Sequence, residues 1–246
     1  MRNAERFSIS VVAGLLTSAV LLAGTGCANP GAVQSTTKLS SRVLRLKGEA
    51  RYSMDEGKTW RAIRSGDILE LGCLVQTATS SHLTIALGER FLFWPPAQSG
   101  AEKGALYKPN FGLHNILSVC RSSEVRIDTV LKEPASGPED FLWHAQLNLR
   151  AGTVMANLRR CTGGSSCDIR FTNGVVRLRE GWYSIGARGQ VCVAEGRACV
   201  TRATIRETTD VTPGWVFFSE SGHMKCVADY GVFGRFGVWG PPLLLE

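Results

Sequence analysis

Residues 66–88, GDILELGCLVQTATSSHLTIALG, carry apolar side chains at about every second position, between breaks of glycine and small polar residues. Successive side chains of a strand point to opposite faces, so this pattern buries one face of a short strand and wets the other. The same period returns in RVLRLKGEARYS, NILSVCRSSEVRIDTVLKE, WHAQLNLRAGTVMANLRR, DIRFTNGVVRLREGWYSI and GQVCVAEGRACVTRATIRET. Turn signals separate these runs every ~8–12 residues, the punctuation of an all-β sandwich or barrel. One predicted turn lies at Asp55–Gly57. No window carries a capped apolar stripe of helical period; SGAEKGALYK is the best candidate for a short helix. The expected fold is therefore all-β: a multi-stranded antiparallel domain, sandwich or short solenoid. No repeat of fixed length supports a long regular solenoid. Hydrophobic residues make up 44% of the 246, enough for a proper core.

The flanks of this pattern set the boundaries. MRNAERF is short and basic, and SISVVAGLLTSAVLLAG after it is apolar but shorter than a comfortable bilayer span. Residues 1–26 thus have the layout of a secretory signal peptide. LLAGTGCANPG resembles a bacterial lipoprotein signal, with Cys27 as the lipidated residue, although Gly24 stands where an apolar residue is usual. Cleavage near Ala28 without lipid and an uncleaved anchor compete with this reading. Residues 27–41 are small and polar and read as a tether, with the β domain running over 42–210. The Pro/Gly-rich stretch 94–115 reads as a long irregular insert. Residues 211–246 read as a C-terminal strand and tail; its end, ADYGVFGRFGVWGPPLLLE, alternates Gly with Val, Phe and Trp and reads as a final strand or hairpin packed on the domain, since large apolar patches are rarely left exposed, with an exposed aromatic patch for a partner or lipid as the alternative. The expected location is the bacterial periplasm or cell surface, with the membrane as partner through the lipid.

Eight cysteines fit an oxidising compartment. If Glu195–Gly196 makes a two-residue hairpin turn, Cys192 and Cys199 become cross-strand neighbours within disulfide range. A three-residue loop would slip that register. Cys161 and Cys167, across CTGGSSC, form a second candidate pair. Neither pair has a histidine nearby or zinc-like spacing, so no metal is expected. The net charge of +7 is spread among apolar residues, as on solvated strand faces. No dense Lys/Arg run points to nucleic acid.

Catalytic patterns are equally thin. The nucleophile elbow G-x-S-x-G is absent, and the acids are too scattered to define a pair. Cys120 with His114 or His144 is the one thiol–imidazole combination to consider, and buried or bridged cysteine is the commoner state in exported proteins. No catalytic residue and no cofactor is expected. The tryptophans Trp60, Trp94, Trp143, Trp182, Trp215 and Trp239 read mainly as packing residues.

GKTWRAIRSGDILELGCLVQTATSSHLTIALGERFLF resembles the first half of the periplasmic FecR domain, through Trp60, Gly66, Gly72, Val75 and Thr77. LNLRAGTVMANL around Gly152, FTNGVVRLREGWYSI and GQVCVAEGRACV resemble later segments of that domain in the same order. Departures occur at Thr77-Ala78, at Gly88-Glu89-Arg90 and at Arg179-Glu180-Gly181, where relatives carry Thr-Gly, Asp-Gly-Ser and Arg-Gly-Thr. Full-length FecR regulators place a cytoplasmic anti-sigma segment before one membrane helix. Only MRNAERF precedes the apolar segment here. The resemblance therefore implies a standalone exported module, with a binding or scaffold role toward an envelope protein or glycan. A sensor or regulator component, or an envelope enzyme with an unrecognised site, are the alternatives.

Overall fold

A computed structural model describes residues 36–88, 114–134, 141–159 and 163–227. The leader 1–26, Cys27, Cys161, nearly all of the insert 94–115 and the end of the tail lie outside the described residues. Every regular element among those described is a strand. In chain order these are β1 (Thr37–Lys38), β2 (Ser41–Lys47), β3 (Ala50–Ser53), β4 (Arg61–Ala62), β5 (Ile68–Leu69), β6 (Leu74–Thr77) and β7 (His82–Ala86). Then follow β8 (Ile116–Val119), β9 (Glu124–Pro134), β10 (Phe141–Ala151), β11 (Thr153–Leu158) and β12 (Ser166–Phe171). The last five are β13 (Gly174–Gly186), β14 (Gln190–Arg202), β15 (Thr208–Val211), β16 (Trp215–Phe218) and β17 (His223–Cys226).

The ladders join all of them into one curled sheet with two walls. Strands β4, β3, β6, β9, β10 and β12 build the first wall, and β1 adds beside β9. Strands β5, β2, β7, β8 and β11 build the second. The long strands β13 and β14 belong to both. Gly174–Leu178 pairs with β12, whereas Gly181–Gly186 pairs with β11. On its far side β14 carries β15 at its C-terminal half and β16 at its N-terminal half, and β17 closes a hairpin on β16. All pairings are antiparallel except β10–β12, which is parallel. That exception follows from the route. After β10 the chain turns at Gly152, runs along the second wall as β11, and returns to lie beside β10 in the same direction. Gly152 has φ +74°, and a Cβ there would collide with the Ser122 carbonyl and Ser123 Oγ.

One core lies between the walls. The period read from the sequence is visible in burial: β11 alternates half-buried and buried residues, with Val154, Ala156 and Leu158 inside. Strand β9 does the same through Val125 and Ile127. These join Leu83, Ile85, Leu147, Leu149, Ile169, Val176, Ile185 and Phe217 in a single cluster. Removing such area from water contributes roughly 25 cal/mol per Å2, the term that holds the walls together.

Particular motif residues now have structural duties. Thr77, the threonine of the V-x-T step, is buried at the end of β6. Its Oγ1 donates to the Cys120 carbonyl (2.5 Å) and accepts from the Ser123 N–H (3.1 Å), tying β6 to the β8–β9 turn. The Asp55–Gly57 turn is present. The Asp55 carboxylate accepts from Ser53 Oγ, the Thr59 N–H and Thr59 Oγ1, and these bonds hold its pKa far below the usual carboxylate value.

One boundary differs from the sequence reading. Ordered pairing begins inside the 27–41 tether, where Thr37 and Lys38 pair with Lys132 and Leu131, and Leu39 is buried. The described part of the tail supplies the β16–β17 hairpin, an integral part of the second wall.

A polar cleft on the outer face of the first wall

The residues that face outward from β9, β10, β12, β13, β14 and β15 form rows across the first wall. One row runs Thr129, Gln146, Asp168, Arg177, Cys199, Asp210. A neighbouring row brings Leu131, His144 and Ser166 side by side. Their partners along each strand, such as Val130, Ala145, Cys167 and Leu178, point into the core. The outward set is thereby fixed by the pleat.

Between these rows lies a cleft of about 400 Å3, lined among others by Glu133, His144, Ser166, Asp168, Arg177 and Arg179. Its groups are held in place by one another. Arg177 grips Asp168 with two parallel bonds, Nε to Oδ1 at 2.9 Å and Nη2 to Oδ2 at 2.8 Å. That fork raises the Arg177 pKa further and keeps both charges in one geometry. His144 Nδ1 is 3.2 Å from Ser166 Oγ, and its Nε2 is 3.9 Å from Glu133 Oε2. Arg179 donates to the Gly163 carbonyl at the rim. Glu133, His144, Ser166, Asp168, Arg177 and Arg179 all stand on strands, which fixes their spacing along the cleft.

Farther along β9 the same face carries a second set of charges. Glu56, in the β3–β4 turn, is bracketed by Arg126 and Arg150, and the bond from Arg150 is the main reason its pKa lies below the usual value. Arg126 also reaches Asp128 at 3.0 Å, and Gln76 donates to Glu124. Arg51 bonds Gln76 Oε1 and lies 4.4 Å from the centre of the Trp60 ring. The face therefore presents mixed charge over a broad area. Among the described residues no group of three or more His, Cys, Asp or Glu has the layout of a metal site.

The thiols are shielded. Burial pushes Cys73 up to about 12, and Cys120 and Cys192 up to about 11. Cys199 is also raised, by burial first and then by Asp210 beside it. At neutral pH each stays protonated, the unreactive form. No disulfide occurs among the described cysteines. The expected Cys192–Cys199 bridge is corrected. Glu195–Gly196 is not a hairpin turn but lies inside the continuous strand β14, which carries both cysteines seven residues apart. At ~3.3 Å per residue their Cα atoms are ~23 Å apart, against ~7 Å at most for a disulfide. Cys167 sits in the core, and its candidate pairing with Cys161 lies outside the described residues.

The sequence had singled out His144 only as a partner for Cys120. Glu133, Ser166, Asp168 and Arg177 carried no signal, because three separate ladders bring them together, and Arg179 stood out only as part of a departure from the FecR pattern. The tryptophans are spread apart in role: Trp143 is core, at 2% exposure, Trp60 lies against Arg51, and Trp215 is 40% exposed.

No family model and no curated protein matches the chain. Two crystal structures of a protein described as "a putative anti-sigma factor from Parabacteroides distasonis ATCC 8503", at 1.65 and 2.50 Å resolution, resemble it with a TM-score of 0.39 at 12% identity. Each likeness covers 62% of this chain and 57% of that one, so the chain spans under three fifths of the protein it resembles.

Proposed function

We propose that this chain is a non-catalytic, exported envelope module, FecR-like in its domain, that binds a partner through the outer face of its first wall. One observation carries this reading: the cleft around His144, Ser166, Asp168, Arg177 and Arg179 is open, polar and fixed on rigid strands. Charged groups already locked into forks lose little freedom on binding, which favours recognition. Mixed charge over a broad face suits an envelope protein or the hydroxyl groups of a glycan better than a single small anion. The leader and Cys27 support export and a lipid anchor. Mass spectrometry of the native N-terminus tests that part, with diacylglycerol on Cys27 as the expected result. In-cell photo-crosslinking from the 144 and 179 positions tests recognition. The expected result is a discrete adduct that Arg177→Glu abolishes; identical adducts from this variant and the wild type would remove the face as the binding surface.

A second reading, an envelope enzyme, is favoured by one feature. Ser166 Oγ, His144 and Glu133 stand in a line, with hydroxyl, imidazole and carboxylate at 3.2 and 3.9 Å. The long carboxylate contact leaves the imidazole poorly held for general-base work. A fluorophosphonate probe distinguishes the two readings: labelling of Ser166 that His144→Ala eliminates would establish the enzyme.

A further inference from the structure

The two sides of the first-wall cleft carry opposite charges that do not meet. Glu133 stands on β9 at one side, and Arg179 stands on β13 at the other. The registers hold them apart. Glu133 is opposite Leu142 on β10, whereas Arg179 follows Leu178, the partner of Cys167, and so lies beside Ser166 on β12. Among the described residues, the Glu133 carboxylate meets no donor closer than His144 Nε2, at 3.9 Å, which is beyond hydrogen-bond reach. Arg179 meets only a neutral acceptor there, the Gly163 carbonyl. Asp168 is one strand away from Arg179, but both of its oxygens are held by the Arg177 fork. That fork neutralises itself and leaves Glu133 and Arg179 as the unmatched charges of the cleft.

Their separation suits one small molecule. The Glu133 carboxylate faces the His144 imidazole on β10, and the Arg179 guanidinium reaches the chain just ahead of β12. Strands β10 and β12 are adjacent, with His144 beside Ser166. One strand spacing is ~4.8 Å, and the three residues from Ser166 back to Gly163 span at most ~10 Å. The two charges are thus ~5–11 Å apart, too far for a direct ion pair. An extended peptide covers ~3.5 Å per residue, so two or three residues fill the gap. Between the charges, Ser166 Oγ, Gln146 and Arg177 Nη1, the nitrogen outside the fork, offer hydrogen bonds to peptide groups. The cleft volume of about 400 Å3 lies in the range of small-molecule sites. A simple anion would leave Glu133 unmatched, and a simple cation would leave Arg179 unmatched. A molecule carrying both charges matches the two.

We propose that this cleft binds a short zwitterionic peptide, two or three residues long with both ends free, its ammonium group on Glu133 and its carboxylate on Arg179. The proposal rests on the outer face of the first wall being the recognition surface, and it names the ligand of that surface.

Isothermal titration of the full-length protein with triglycine, N-acetyltriglycine and triglycinamide tests this. Triglycine binds at least fivefold more tightly than either capped form. In Glu133→Gln the free and N-acetylated peptides bind alike, and in Arg179→Gln the free and amidated peptides bind alike. Both side chains lie at the surface, so neither change disturbs the core. No binding of diglycine or triglycine, equal binding of free and capped peptides, or a preference that both variants retain overturns the proposal. Failure here is distinct from failure of the recognition face. A discrete photo-crosslinked adduct without triglycine binding overturns the peptide ligand and leaves the face standing.

Discussion

Gly181 on β13 and Gly196 on β14 stand opposite each other where the two strands pass from one wall to the other. Their φ angles are +147° and +89°, and a Cβ on either would collide with the opposing backbone: the Glu195 carbonyl for Gly181, the Glu180 carbonyl for Gly196. The Tyr183 hydroxyl fills the remaining space, donating to the Glu180 carbonyl (2.9 Å) and accepting from the Arg197 N–H (3.2 Å). Replacing either glycine by alanine combines overpacking against backbone with a left-handed strain. The expected loss for Gly196→Ala is about 3 kcal/mol or more, read from urea unfolding. Tyr183→Phe keeps the ring and removes the bonds, for a smaller loss of about 1–3 kcal/mol.

Thr77 offers a cleaner hydrogen-bond test. Thr77→Val conserves shape but leaves the buried Ser123 N–H without its hydroxyl acceptor. The expected cost is about 1–3 kcal/mol. Thr77→Ser retains the hydroxyl and recovers most of it. Equal urea midpoints for Thr77→Val and the wild type would show that the pin carries no stability.

His82 gives stability an acid dependence. Burial first, then Arg45 and Lys47 on β2, hold its pKa below 6.5. Below pH 6.5 the unfolded chain binds a proton that the folded chain refuses. Stability is therefore full above that value, falls as pH drops toward the folded pKa, and levels off below it. His82→Gln removes this component of the slope, as measured by chemical denaturation between pH 7.5 and about 5.

Cys73 acts at the other end of the scale. Its folded pKa of about 12 lies above the ordinary 9.0, so the unfolded thiol ionises first. Stability is complete below pH 9 and declines as pH rises toward 12. Cys73→Ala weakens that decline, although it lowers stability at every pH through the lost side-chain packing. Disulfide mapping of the oxidised wild-type protein should recover the 190–202 peptide without a Cys192–Cys199 link.

What could be read from the residues was local or periodic. The Asp55–Gly57 turn depends on groups four residues apart, and the alternation of β9 and β11 depends on each strand alone. Glu195–Gly196 misled for a physical reason. Glycine marks a hairpin turn, but it also marks a strand position pressed against another backbone, and only the pairing of β14 with β13 distinguishes them. Thr37 and Lys38 left no pattern because they pair through backbone alone, with both side chains exposed. The cleft was hidden for a third reason. Glu133, His144, Ser166 and Arg177 meet through the registers of β9, β10, β12 and β13, and a shift of one residue would send each to the opposite face.

The double membership of β13 and β14 has a mechanical consequence. Because two continuous backbones run through both layers, the described strands have no seam along which the layers could slide or peel apart. A load applied by a bound partner at one surface is carried straight along these shared beams to the other, and the domain must yield as a whole or not at all.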